Sequence, residues 1–306
     1  MTIKNVSVVG MGALGILFGK YIQDKIGKES VSFVVNKNRM KKYVQQGIIC
    51  NGKRCSFNLI DEEIEKKTDL LIIAVKATNL EDAIKTAKKQ VGENTIIISL
   101  LNGITSEEII GQAFGKEKII YCVAQGMDAV KIDNEFTCSH MGELRIGIPK
   151  SELYKQEKLN LVAEFFNSID FPYTIEEDII HRLWSKFMLN VGVNQVVMIS
   201  EGNYGTIQKE GKERKMMKDA MKEVIELASY EGVKLSEGDL EDYVKLTDTL
   251  DPKGMPSMRQ DGLMKRYSEV ELFSGTVLKL AKKHNLEMKI NEFLYEKIKE
   301  IESRYQ

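Results

Sequence analysis

Val6-Ser7-Val8-Val9-Gly10-Met11-Gly12-Ala13-Leu14-Gly15 decides the fold of this chain. A short apolar β run meets a G-x-G-x-x-G turn, and the helical stretch Gly15 to Ile26 follows. In that context the three glycines have separate tasks. Gly10 permits the tight turn, Gly12 lets a pyrophosphate approach the backbone, and Gly15 lets helix and strand pack closely. The N–H groups of Met11, Ala13 and Leu14 complete a cradle at the positive end of the helix dipole. A glycine-rich strand–helix turn without a ligand is the competing reading.

Outward from this turn the first half alternates β and helical runs. Strands are expected at Val31 to Val35, Leu70 to Val75, Thr95 to Leu101, Ile119 to Ala124, Glu135 to Ser139 and Leu144 to Ile148, with a helix from Glu81 to Lys89. Such alternation predicts a parallel, doubly wound α/β sheet, with an antiparallel edge from the later strands. After Pro172 the apolar spacing becomes helical, with breaks near Glu201-Gly202, Gly232 and Pro252 to Pro256. Two domains are expected, a dinucleotide-binding Rossmann domain over 1–175 and an all-helical domain over 176–306.

Composition narrows the function classes. The 44 Lys and Arg balance 45 Asp and Glu, a formal net charge of −1, which gives no general attraction to nucleic acid or anionic membrane. The N-terminus lacks the pattern of a secretory leader, and no apolar run is long enough to span a bilayer. A cytoplasmic location is expected. Cys50, Cys55, Cys122 and Cys138 show no zinc-type spacing and read as free thiols; no metal site is expected.

Beyond the second strand stands Asn36-Lys37-Asn38-Arg39, where a carboxylate would mark a preference for NAD. Lys37 and Arg39 could hold a 2′-phosphate, so the reading favours NADPH, with NADH and a solvated basic loop as the alternatives. Lys76 and Asn102 each follow a strand and would point toward the cofactor crevice of an open α/β sheet, with a solvated lysine and a turn-forming Asn-Gly as the competing readings. In the helical half, Lys186, Asn190 and Asn194 recur every four residues along a segment otherwise rich in apolar side chains, including Leu183, Trp184, Phe187, Val193 and Val197. They form one polar stripe on a helix expected to be buried on its other faces. Buried polar groups need partners, and a cleft for a polar ligand would supply them; a stripe facing water or pairing with other polar side chains is the competing reading. A lysine held out of water can serve as an acid. Ser257 with Gln260 matches a capping box, and a hydroxyl at a helix start also suits a carboxylate ligand. Glu269 reads as a helix carboxylate.

Together the glycine loop, Val75-Lys76-Ala77, Leu101-Asn102-Gly103, Leu183-Trp184-Ser185-Lys186 with Asn190 and Asn194, Ser257-Met258-Arg259-Gln260-Asp261 and Ser268-Glu269 resemble the ketopantoate reductases (2-dehydropantoate 2-reductases). The resemblance implies an active site between the two domains and NADPH-dependent hydride transfer to the keto carbon of 2-dehydropantoate, giving pantoate for pantothenate biosynthesis. It implies that Lys186 is the proton donor, that Asn190, Asn194, Ser257 and Glu269 serve the substrate, and that Lys76 and Asn102 serve the cofactor. The chain departs from the family pattern at Asn36, Gln195, Arg259, Asn285 and Lys289. A D-2-hydroxyacid dehydrogenase using NADH on the same scaffold is the first alternative, and a non-catalytic nucleotide sensor the second. The partner expected is a small 2-keto acid, with a homodimer left open.

Overall fold

The computed structural model describes residues 2–305. They form two compact units, divided between Ile179 and Ile180. The first carries strands β1 (Val6–Val9), β2 (Val31–Val35), β3 (Ile48–Cys50), β4 (Lys53–Cys55), β5 (Leu59–Asp61), β6 (Leu70–Ile73), β7 (Ile96–Ser99), β8 (Ile119–Gln125), β9 (Val130–Ile132), β10 (Glu135–Thr137), β11 (Glu143–Gly147) and β12 (Tyr173–Ile175). Its helices are α1 (Ala13–Ile26), α2 (Lys37–Gln46), α3 (Leu80–Ala87), α4 (Ser106–Phe114) and α5 (Gln156–Ser168).

The main sheet has the order β12-β11-β8-β7-β6-β1-β2-β5. From β5 to β8 every pairing is parallel. β11 runs antiparallel to β8 and supplies the expected antiparallel edge. Strands β1, β2, β6 and β7 are buried along their full length and are apolar apart from Ser7, Ser32 and Ser99, which fits a sheet covered on both faces. The central order 5-2-1-6-7-8 is that of a Rossmann sheet. The segment Glu135 to Ser139 departs from expectation. It contributes β10 to a separate sheet, β4-β3-β10-β9, whose strands are three residues each and too short to announce themselves by alternation.

The glycine loop is held by backbone contact. Gly10 has φ +106°, and a Cβ there would lie 2.3 Å from the Ala74 carbonyl oxygen. A Cβ on Gly15 would lie 1.9 Å from the Gly10 carbonyl oxygen. Those two glycines are required by the protein's own packing. Gly12 is not: a Cβ there would meet nothing nearer than the Ala74 oxygen at 3.9 Å, and its φ is −76°. Gly12 caps α1, and no side chain caps the first turn.

The loop after β7 is fixed by polar side chains. The Ser99 and Ser106 hydroxyls lie 2.8 Å apart, and Ser106 Oγ donates to Glu107 Oε2 at 2.9 Å. This chain ties the start of α4 to the end of β7 and closes the turn that carries Asn102 and Gly103. Glu107 is buried, and burial raises its carboxyl to about 7.

The second unit is helical: α6 (Ile179–Ile199), α7 (Tyr204–Gln208), α8 (Lys212–Tyr230), α9 (Glu237–Asp248), α10 (Ser257–Leu263), α11 (Thr276–His284) and α12 (Lys289–Glu302). A π turn, Glu271–Gly275, precedes α11. The breaks fall at left-handed Glu201 (φ 50°), at Gly232 (φ 76°) and in the loop around Pro252. α8 supplies the central apolar face through Met217, Met221, Val224 and Leu227. α6 meets it closely at Gly192, where a Cβ would lie 2.6 Å from Met221 Cγ.

Two outcomes are expected. Gly15→Ala should destabilise the first unit by about 1–3 kcal/mol or more through overpacking, while Gly12→Ala should leave chemical-denaturation stability nearly unchanged. Equal losses for the two would remove the distinction between packing and cradle glycines. For Glu107, the unfolded carboxyl titrates near 4.5 and the folded one near 7. Its neutral form therefore favours the fold fully below the lower value, and that contribution is lost as pH rises through the higher one. The stability of wild type relative to Glu107→Gln should fall by about 2–3 kcal/mol between about pH 5 and pH 8. A pH-independent difference in urea unfolding would contradict this.

Candidate active site

In the first unit, a cavity of about 290 Å³ opens beside Gly10 and Met11 and runs to Val35, Asn36, Arg39 and Tyr43 at the end of β2. It lies at the carboxyl ends of the strands, where α/β sheets bind ligands. Asn36 is the N-cap of α2: its Oδ1 accepts from the Arg39 N–H at 2.9 Å, which leaves the amide nitrogen as its donor. Arg39 lines the cavity, but Lys37 is exposed on the first turn of α2 and does not. The expected pair of cations at this position is thus reduced to one. Glu62, Asp82, Lys85 and Thr86 line the same cavity, and the sequence reading missed all four. Glu62 follows β5, whose parallel register sets Asp61 beside Val35, and the Glu62 N–H donates to the Val35 carbonyl at 3.1 Å. A carboxylate therefore does stand near the end of β2, but from a neighbouring strand. Lys76 is half-buried and begins the 3₁₀ turn Ala77–Asn79, and Asn102 is half-buried in the loop closed by Ser99 and Ser106.

The arrangement fits a dinucleotide. Gly12 keeps open a space that no neighbouring side chain needs, beside an uncapped helix start with N–H groups to offer an anion. The cavity then continues from the cradle to the end of β2.

In the second unit, the polar stripe is as spaced. Lys186 and Asn190 are half-buried and Asn194 is buried. Asn194 Nδ2 donates to Asn190 Oδ1 at 3.0 Å. That bond leaves Asn190 Nδ2 and Asn194 Oδ1 buried without a hydrogen-bond partner. Flipping both amides only exchanges the roles, so one orphan donor and one orphan acceptor remain either way. Gly192 faces α8, and residues two positions away lie about 200° around the helix, so the asparagines are on the side of α6 away from α8.

Neighbouring segments are pinned to α6. Gln195, fully buried, donates to the Val191 carbonyl at 2.8 Å and accepts from the Ser274 N–H at 3.3 Å, joining α6 to the π turn. Ser268 gives both its N–H and its hydroxyl to buried Glu302, at 2.7 and 2.5 Å, which fixes the backbone immediately before half-buried Glu269. α10 lies against the end of α6: a Cβ on Gly262 would approach Met198 Sδ to 2.6 Å, and Arg259 Nη2 donates to the Glu201 carbonyl at 3.0 Å. The departure at Arg259 thereby closes the C-terminal end of α6, where a cation suits the helix dipole.

The capping expectation for Ser257 is overturned. Pro256 is the N-cap of α10 and no side chain caps it, because Gln260 Nε2 turns to the Met255 carbonyl at 3.0 Å. Proline before the first turn already presets the backbone and removes one N–H. Ser257 is exposed.

Comparison with known proteins agrees with this organisation. The ketopantoate reductase PanE/ApbA model matches residues 6–152, and the ketopantoate reductase PanE/ApbA C-terminal model matches residues 178–302. The 2-dehydropantoate 2-reductase of Aquifex aeolicus is 26% identical over 95% of both chains. Among solved structures, a PanE/ApbA family ketopantoate reductase from Ralstonia eutropha superposes with TM-score 0.83 at 19% identity, over 99% of both chains. A D-mandelate dehydrogenase solved with NADH and anilino(oxo)acetate gives TM-score 0.85 at 21% identity, over 98% of both chains. At these identities the structures speak for the fold alone, but the two family models span nearly the whole sequence, and the chain belongs to the ketopantoate reductase family.

Proposed function

We propose that this chain reduces a 2-keto acid, 2-dehydropantoate first among them, to the 2-hydroxy acid with a reduced nicotinamide dinucleotide. One observation carries the reading: an apolar helix, α6, bears a lysine and two asparagines whose amides leave a donor and an acceptor buried and unused. Each such atom costs about 1–3 kcal/mol. A 2-keto acid offers acceptors in its carboxylate and carbonyl, and the product alcohol offers a donor.

The first unit would hold the dinucleotide through Gly10, Met11, Gly12, Ala13, Leu14 and Gly15, with Asn36 and Arg39 at the far end of the cavity and Lys76 and Asn102 at strand ends. When bound, the reduced nicotinamide supplies the hydride. Asn190, Asn194 and Ser257 would hold and orient the keto acid, and Glu269 would set its position. As the keto carbon is reduced, its π electron pair moves to oxygen, and the Lys186 ammonium stabilises that charge and gives it a proton. Water then reprotonates the amine.

Initial rates on a panel of 2-keto acids, each with NADPH and NADH, test the activity. 2-Dehydropantoate should be the best substrate. A clear preference for another branched or aromatic 2-keto acid would make the chain a D-2-hydroxyacid dehydrogenase, and no turnover with any of them would refute the reading. Lys186→Ala should lower turnover about 10²–10⁴-fold with dinucleotide affinity little changed; near-normal turnover when chemistry limits the rate would remove Lys186 as the acid. Asn194→Ala should weaken keto-acid binding more than dinucleotide binding in separate titrations, and the opposite order would reverse the assignment of the two units.

A further inference from the structure

We infer that Glu62 selects NADH over NADPH, an assignment that rests on the dinucleotide reading above and reverses the preference drawn from Lys37 and Arg39. The cavity beyond Gly10 and Met11 contains two cations and two carboxylates, Arg39, Lys85, Glu62 and Asp82. Their pairing is uneven. Lys85 Nζ lies 3.1 Å from Asp82 Oδ1, so each of these charges already has a partner. Among the described residues Glu62 has no such cation. It accepts from Thr86 Oγ1 at 2.6 Å, a neutral donor that fixes one carboxylate oxygen and leaves the charge in place. Among the described residues the other oxygen, Oε1, has no hydrogen-bond partner.

Chemistry at this end of the cavity matches a ribose diol. Asn36 has spent its oxygen on the Arg39 N–H and keeps its amide donors, and Glu62 keeps an acceptor. Two adjacent hydroxyls, each able to donate and accept, satisfy both. A 2′-phosphate is a poorer fit. It carries nearly two negative charges and offers no strong donor to Glu62, so it would set anion against anion. Among the described residues that line the cavity, Arg39 is the cation without a carboxylate partner, and it is exposed, where water weakens its pull. A carboxylate that hydrogen-bonds the ribose ordinarily stands at the end of the second strand itself. Here the backbone bond from Glu62 N–H to the Val35 carbonyl brings a carboxylate to the same strand end from β5.

The test is a titration of the full-length chain with NADH and with NADPH, followed by the fluorescence of the reduced nicotinamide. Wild type should bind NADH about tenfold tighter or more. Glu62→Gln should reduce that ratio about tenfold, mostly by improving NADPH, because the amide removes the charge and supplies a donor. Thr86→Val should reduce the ratio by a smaller factor in wild type and leave it unchanged in the Glu62→Gln background, since the hydroxyl acts only by orienting that carboxylate. A ratio between two ligands is insensitive to a common loss of folded protein. Tighter binding of NADPH by wild type, or a ratio unmoved by Glu62→Gln, overturns the role of Glu62 and leaves the reductase reading standing. Failure of both dinucleotides to bind overturns the two together.

Discussion

The first unit depends on one close approach of backbone to backbone. Where β1 ends, the chain turns so tightly that Gly10 and Gly15 leave no room for a Cβ against the Ala74 and Gly10 carbonyls. This contact sets where α1 starts relative to β1 and β6, and hence where its free N–H groups point. Gly12, between them, is under no such pressure from the protein. A loop of three glycines thus contains two kinds: two demanded by packing, and one that keeps space open. The cavity that continues past Gly10 to the end of β2 follows from the same turn, because the parallel pairing of β6, β1, β2 and β5 brings their carboxyl ends together.

What could be read from the sequence was whatever local spacing encodes. The glycine turn, the fully buried strands and the four-residue stripe on α6 are patterns within a few turns of chain, and the structure has them nearly as spaced. Elements of three residues, such as β3, β4 and β9, hold too few positions for a period to emerge. Glu62 was illegible for a different reason. It lies twenty-six positions beyond Asn36, and only the register of β5 on β2 makes them neighbours. Ser-x-x-Gln at Ser257 does not form a capping box because the helix begins one residue earlier, with Pro256 at the N-cap, and Gln260 bonds the Met255 carbonyl instead. The residues that carry the proposed chemistry were legible as types and spacing; their partners were not.

Several buried or half-buried polar side chains of the helical unit tie separate segments together. Glu302 with Ser268, Glu223 with the N–H groups of Ile290 and Asn291, and Gln195 with Val191 and Ser274 make hydrogen bonds that join separate segments. These bonds offset the cost of burial and specify how α12, α8, α6 and the π turn meet. Asn190 and Asn194 differ, because their single bond is to each other along one helix and joins nothing.

That difference has an energetic consequence. The orphan donor and acceptor together represent about 2–6 kcal/mol of uncompensated desolvation, a large share of the roughly 5–15 kcal/mol that holds a typical domain folded. Their one bond, to each other, joins no separate segments, so folding alone gives little reason for two amides there. A ligand with matching polar atoms does. Such a ligand would offset the desolvation as affinity, and the amides, already fixed on a helix that Gly192 and Gln195 lock to its neighbours, would lose little further freedom in doing so. In this helix the cost to stability and a capacity to bind would be one feature, and the proposed recognition of the keto acid by α6 rests on it.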